Sequence, residues 1–241
     1  MPSLMTTTNL ILASGQSVDF MVHGLIELEL FGQKLWITTT HVSMLIVMGI
    51  IILVAFLIRA NLKGPDETPG MLQSFAEIAI EMLENMVAGI MGDKGGKFIN
   101  YVGTIFVFIL LSNISGIFGL RPPTADFGVT LPLGLMTFLI VQYQNIKNNK
   151  FGAFTDLFQP MPVLFPINLI GEIATPFSLG LRLFGNIISG TVIVALFYGM
   201  VPVFVKIGVP AVLHAYFDLF SGCIQAYVFC MLTMVFISNK Q

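Results

Sequence analysis

The chain has 241 residues, a formal net charge of -2, 56% hydrophobic residues and only 10% charged ones, against roughly 25% charged in a soluble domain. With a mean hydropathy of +0.89, these figures exclude an ordinary water-soluble domain and point to a membrane protein. No basic patch suggests nucleic acid as a partner.

Residues 1–35 read as an N-terminal tail or short interfacial segment. Leu10-Ile11-Leu12-Ala13 is too short for a signal peptide, and no Lys or Arg precedes it. Asp19, His23, Glu27 and Glu29 make the tail polar enough to stay out of hydrocarbon. Residues 36–241 read as one all-α polytopic membrane domain. Its first crossing covers about 40–58, an apolar run long enough for a bilayer core of about 30 Å. Arg59 and Lys63 follow, and Gly64-Pro65 breaks the chain.

The segment 69–92 differs. Glu77, Glu81 and Glu84 fall near one helical face, with Leu72, Phe75, Ala79, Met82, Leu83 and Met86 largely elsewhere. Pro69 suits a first helical turn. An amphipathic helix with three carboxylates is expected to lie on the membrane surface. The next crossings cover about 98–120, stopped by Arg121-Pro122-Pro123, and about 129–145, a short segment carrying Pro132 and Gly134. The last two, about 162–200 and 209–238, exceed the roughly 20 residues an upright crossing needs. They are expected to be tilted or kinked and to form a hairpin. Cys223 and Cys230 fall on one face of the last, with Cα atoms about 10 Å apart, too far for a disulfide, so inert buried thiols are expected.

Five crossings put Arg59, Lys63, Lys94, Lys97, Lys147, Lys150 and Lys240 on one side, and Lys34, Arg121 and Lys206 on the other. The positive-inside rule then sets the N-terminus outside and the C-terminus in the cytoplasm.

Arg182 is the anomaly in this pattern. No other Lys or Arg occurs between Lys150 and Lys206. A guanidinium at membrane depth costs at least about 3 kcal/mol, and it does not escape by losing its proton. On a wheel of 100° per residue, Asn168, Thr175, Ser178, Asn186 and Ser189 gather within about 40° of Arg182, with Glu172 at the edge. On the last helix His214, Asp218, Ser221 and Gln225 share a face. Two such stripes suggest an aqueous path or a seam; Ser, Thr and Asn also serve as packing glue. Glycines 171, 180, 185 and 190 leave room for close packing or for another subunit. No phosphate loop, metal-ligand cluster or nucleophile elbow occurs. The chain is thus expected to be non-catalytic, without cofactor or metal.

Ser178-Leu179-Gly180-Leu181-Arg182-Leu183-Phe184-Gly185-Asn186 resembles the signature of subunit a of bacterial F-type ATP synthases. Ser112-Asn113-Ile114-Ser115-Gly116, Pro122-Pro123-Thr124-Ala125-Asp126 with Val129-Thr130, and Gln225-Ala226-Tyr227-Val228-Phe229 with Leu232-Thr233 resemble further stretches of that family, in order, from about Trp36 onward. The resemblance implies an ion-translocating stator in the bacterial inner membrane, beside a ring of c subunits, with subunit b, the F1 sector and lipid as partners. It implies two half-channels that serve a ring carboxylate with protons or Na+. Arg182 corresponds to the essential stator arginine, Gln225 to the nearby glutamine and Asn186 to the asparagine one turn on. Many relatives carry an acidic residue where Thr191 stands and a histidine where Asp218 stands. The outer half-channel is therefore expected on Asp218 with His214, and the inner on Glu172, with Asn168, Thr175 and Ser178 along the stripe. The alternative, an ion-coupled secondary transporter, often shows inverted repeats, and none is visible here.

Overall fold

The computed structural model describes residues 10–11, 17–18, 24–30, 33–63, 69–149, 163, 165–200, 212–213 and 215–240. Two antiparallel ribbons come first: β1 (Leu10–Ile11) pairs with β2 (Ser17–Val18), and β3 (Gly24–Leu30) with β4 (Gln33–Thr38). The rest is helical: α1 (Thr39–Ala60), α2 (Met71–Met91), α3 (Ile99–Ile114), α4 (Phe127–Asn149), α5 (Phe165–Met200), a π-helical segment Ala215–Ser221, and α6 (Gly222–Ser238). Among the described residues, five helical stretches are long and apolar enough to cross a membrane: Thr39–Ala60, Lys94–Phe118, Phe127–Asn148, Phe165–Phe197 and Ala215–Ser238. The protein is an all-α polytopic membrane protein, with its ribbons confined to the region before the first crossing.

The crossings form because runs of apolar residues have no other way to satisfy their backbone in lipid. Burial is inverted relative to a soluble protein. On α1 the buried residues are Thr40, Ser43 and Val47, while Leu45, Ile52, Leu53 and Phe56 face outward. Without a hydrophobic force between helices, tight contact and interhelical hydrogen bonds hold the bundle. Helix α6 is its axis: Gly222, Gln225, Ala226, Phe229, Cys230, Thr233, Met234 and Ile237 are buried at helical spacing. They meet Val102, Ile105 and Ile109 of α3, Val141 of α4, Leu179 and Leu183 of α5, and Val87 and Met91 of α2. Cys230 is buried and Cys223 half-buried, both as free thiols.

Several boundaries differ from expectation. Helix α4 runs from Phe127 to Asn149 rather than from about 129 to 145, and Pro132 sits close to its N-terminus, where it breaks little. The Asp126 carboxylate accepts the Gly128 N–H at 2.9 Å and opens the helix. Pro69 lies outside α2, whose N-cap is Gly70. Glu77, Glu81 and Glu84 of α2 are all exposed, and its far end alone is buried in the bundle. Gly92 ends α2 at φ 61, a left-handed turn open to a residue without Cβ. The last crossing is not a uniform α-helix: its first turns, Ala215–Ser221, are π-helical.

Candidate functional site

Helix α5 turns two faces to different surroundings. Pro176, Leu179, Gly180, Leu183, Ile187, Gly190 and Val194 are buried. Gly180 makes this possible, since a Cβ there would stand 3.1 Å from both the Leu131 Cα and the Thr130 carbonyl of α4. Gly190 lies against the Phe217 ring, where a Cβ would be 3.3 Å away. The opposite face carries Gly171, Ser178, Arg182, Gly185 and Ser189, all exposed. A Cβ at Gly171 or Gly185 would meet nothing within 4 Å. The four glycines thus split: 180 and 190 serve packing inside the chain, and 171 and 185 flatten the outer face around Arg182.

Arg182 itself makes no hydrogen bond or ion pair among the described residues. Neither Asp218 nor Glu172 neutralises it. Glu172 is held elsewhere, and Asp218 lies beside a cavity that Arg182 does not line. Gln225 is 8% exposed, on the buried side of α6, and its Nε2 has no partner among the described residues.

Two separate cavities flank the level of Arg182. The larger, about 460 Å³, is lined by Asp218, Thr191, Arg121, Gly116, Ile187 and Gly190, among others. It touches α5 on the C-terminal side of Arg182. The Asp218 carboxyl sits against Gly116, where a Cβ would come within 3.4 Å of it. The smaller, about 130 Å³, is lined by Glu172, Thr175, Gln142, Thr137, Asn239 and Lys240, among others. It touches α5 on the N-terminal side. There Lys240 Nζ lies 3.3 Å from Glu172 Oε1, and Gln142 Nε2 donates to Glu172 Oε2 at 3.2 Å. Arg182 lines neither cavity.

A polar seam joins α3, α5 and the π-to-α junction. Asn186 donates to the Ser221 hydroxyl at 3.0 Å, and Ser221 donates back to Asn186 Oδ1 at 3.1 Å. Asn113, fully buried, donates from Nδ2 to the Gly222 carbonyl at 3.0 Å, and its Oδ1 accepts the Thr124 hydroxyl at 2.7 Å. Gly222 is required there, since a Cβ would come 2.8 Å from the Asn113 Cβ. These bonds fix the residue at which the π-helix gives way to α6. The wider π turn, closed by i→i+5 bonding, then sets where Asp218 faces.

The expected polar stripe is therefore divided. Glu172 and Thr175 reach the small cavity, Asp218 reaches the large one, Asn186 joins the seam, and Ser178 is exposed. Asn168 is half-buried and lines neither of these two cavities. His214 lies outside the described residues. Thr191, set aside in favour of Asp218, lines the same cavity, its hydroxyl donating to the Ile187 carbonyl at 2.8 Å. Three further residues were legible only as loop charges or packing polars: Arg121, Gln142 and Lys240. Their partners lie at least 30 positions away where a bond is resolved.

Compared with known families, residues 41–238 match the ATP synthase A chain. The chain belongs to that family. A relative from Propionigenium modestum, "ATP synthase subunit a, sodium ion specific", is 39% identical over 223 residues, covering 85% of this chain and 74% of its own. "ATP synthase subunit a" of Priestia megaterium is 36% identical, with 71% of this chain and 79% of the relative covered. That of a Sulfurihydrogenibium species is 34% identical, with 83% and 95% covered. The protein is thus a multi-pass membrane subunit of a bacterial F-type ATP synthase. Its place is the ion-translocating stator of the membrane sector, and it is a non-catalytic subunit of the complex.

Proposed function

We propose that the two cavities are the ends of two half-channels, and that Arg182 separates them. The observation that carries this is their placement: two cavities, each holding one carboxylate, touch α5 on opposite sides of Arg182, and neither contains it. Asp218, Thr191 and Arg121 line the outer route; Glu172 and Thr175 line the inner one. The N-terminus is outside and the C-terminus cytoplasmic in the bacterial inner membrane, by the distribution of basic residues.

Arg182, on an exposed face flattened by Gly171 and Gly185, finds its counter-ion on another polypeptide. That partner is a carboxylate of the c-ring, which passes as the ring turns. Facing lipid, the carboxylate is neutral, because burying a bare charge is costly. Within about 4 Å of Arg182 its charged form gains up to about 4 kcal/mol at an effective dielectric near 20. The guanidinium therefore favours ion release. As a fixed cation it also blocks direct leakage between the half-channels. A potential of 100 mV supplies about 2.3 kcal/mol per charge carried across. Subunit b and the F1 sector complete the stator and the catalytic end.

The transported ion is H+ or Na+, and ATP-driven uptake with and without sodium distinguishes them. The central test is Arg182→Ala in the reconstituted complex. Gradient-driven ATP synthesis is expected to be abolished; synthesis at the normal rate would refute the assignment.

A further inference from the structure

We infer that Lys240 is an electrostatic gate on the inner half-channel, an inference that rests on the half-channel reading. Its ammonium covers the Glu172 carboxylate and cancels the negative charge that would draw small cations toward Thr175 from the inner side. Both oxygens of Glu172 are already engaged, Oε1 by Lys240 at 3.3 Å and Oε2 by Gln142 at 3.2 Å. The three side chains come from α4, α5 and the residues just past α6, and all line the same cavity of about 130 Å³. Thr175 lies on α5 between Glu172 and Arg182 and lines that cavity too. An ion moving between the inner side and Thr175 therefore passes the Lys240–Glu172 pair.

The pair is built to open. Lys240 and Glu172 each keep 27% of their side-chain surface exposed, so the ammonium can exchange the carboxylate for water. Such a partly exposed pair is weakly held, and lysine carries its charge on a flexible four-carbon stem. The backbone beneath is fixed, because Asn148 Nδ2 donates to the Lys240 carbonyl at 3.0 Å. A clamped backbone with a mobile charged side chain is a hinge and an arm. The closed arm neutralises the Glu172 carboxylate, so the narrow cavity holds no net negative charge to draw in a cation; with the arm withdrawn the bare carboxylate attracts one.

The test uses the complete ATP synthase in inverted membrane vesicles. Position 175 is a single cysteine (Thr175→Cys, with Cys223→Ser and Cys230→Ala), and the probe is silver ion added from the exposed inner side. Lys240→Gln is expected to raise the rate of silver reaction roughly 10-fold, Lys240→Arg to leave it within about twofold, and neutral N-ethylmaleimide to change less than about twofold. If Lys240→Gln leaves the silver rate unchanged, Lys240 is only a strut and the gate is refuted while the half-channel stands. Equal acceleration of silver and maleimide makes Lys240 a plug of bulk rather than charge, and refutes the gate equally. If silver reaches position 175 only after detergent, the inner half-channel itself fails and the gate with it. Gln142→Cys, in the same cavity, serves as the reporter if Thr175→Cys does not assemble.

Discussion

Asn113 offers the sharpest test of how the bundle positions its cavities. It is fully buried on α3 and joins two partners far apart in the chain, the Gly222 carbonyl at 3.0 Å and the Thr124 hydroxyl at 2.7 Å. Asn113→Leu keeps the number and branching of the side-chain heavy atoms and removes both bonds. It strands the buried Thr124 hydroxyl, at about 1–3 kcal/mol, and removes a second bond from the Gly222 carbonyl, at about 0.5–1.5 kcal/mol. The sum is about 1.5–4.5 kcal/mol. For a chain of this size that corresponds to a fall of at least about 3 °C in the thermal midpoint. The midpoint is read as loss of the subunit from the detergent-solubilised complex. The same change releases the junction between the π-helical segment and α6, so Asp218 shifts relative to Arg121 and Thr191, and gradient-driven ATP synthesis slows with the stability loss. Thr124→Val removes only the hydroxyl and is expected to cost less. The double variant is expected to cost less than the sum of the singles, because the two residues share one bond. A midpoint for Asn113→Leu within 1 °C of the parent, on the order of the error in such a measurement, would refute the reasoning.

Other outcomes follow from the same contacts. Asp218→Asn keeps shape but removes the charge in the large cavity; synthesis is expected to fall and its dependence on external pH to change, and an unaltered rate and profile would take Asp218 off the route. Gly180→Ala forces a methyl to within 3.1 Å of the α4 backbone and is expected to cost about 1–3 kcal/mol by overpacking. Gly171→Ala meets open space and should not lower the stability of the isolated subunit, so the pair of thermal midpoints separates internal packing from the outer face. Asn186→Ala and Ser221→Ala break the same reciprocal pair, so a double-mutant cycle on assembly stability is expected to give a coupling of about 0.5–3 kcal/mol; additive losses would remove the seam from the account.

Much of the architecture was legible in the residues alone. The apolar runs mark five crossings, and the three glutamates of α2 separate that helix from them. The arginine motif points to the centre of the proposed site, since a lone guanidinium in an apolar stretch is costly at membrane depth. The 3.6-residue period brought Asn168, Thr175, Ser178, Arg182 and Asn186 to one side of α5. Period alone does not say which neighbour meets that side. Arg182 and Ser178 face outward, whereas Glu172 and Thr175 turn toward Gln142 and Lys240. The last helix misled for a different reason. A uniform 100° step assumes α-helix throughout, and the π-helical segment at Ala215–Ser221 changes that step between Asp218 and Gln225.

The sequence by itself determined the membrane class, the number of crossings and the lone positive charge within its longest apolar stretch. Each of these depends on local composition and the cost of leaving water, which neighbouring residues along the chain settle among themselves. The tertiary structure decided the rest: two cavities rather than one stripe, a lysine over Glu172, and an asparagine that fixes a helix junction 109 positions away. Those features arise where helices distant in sequence touch. Their geometry is set by which small residues let backbones approach and which polar groups find partners, and neither is written in any single helix.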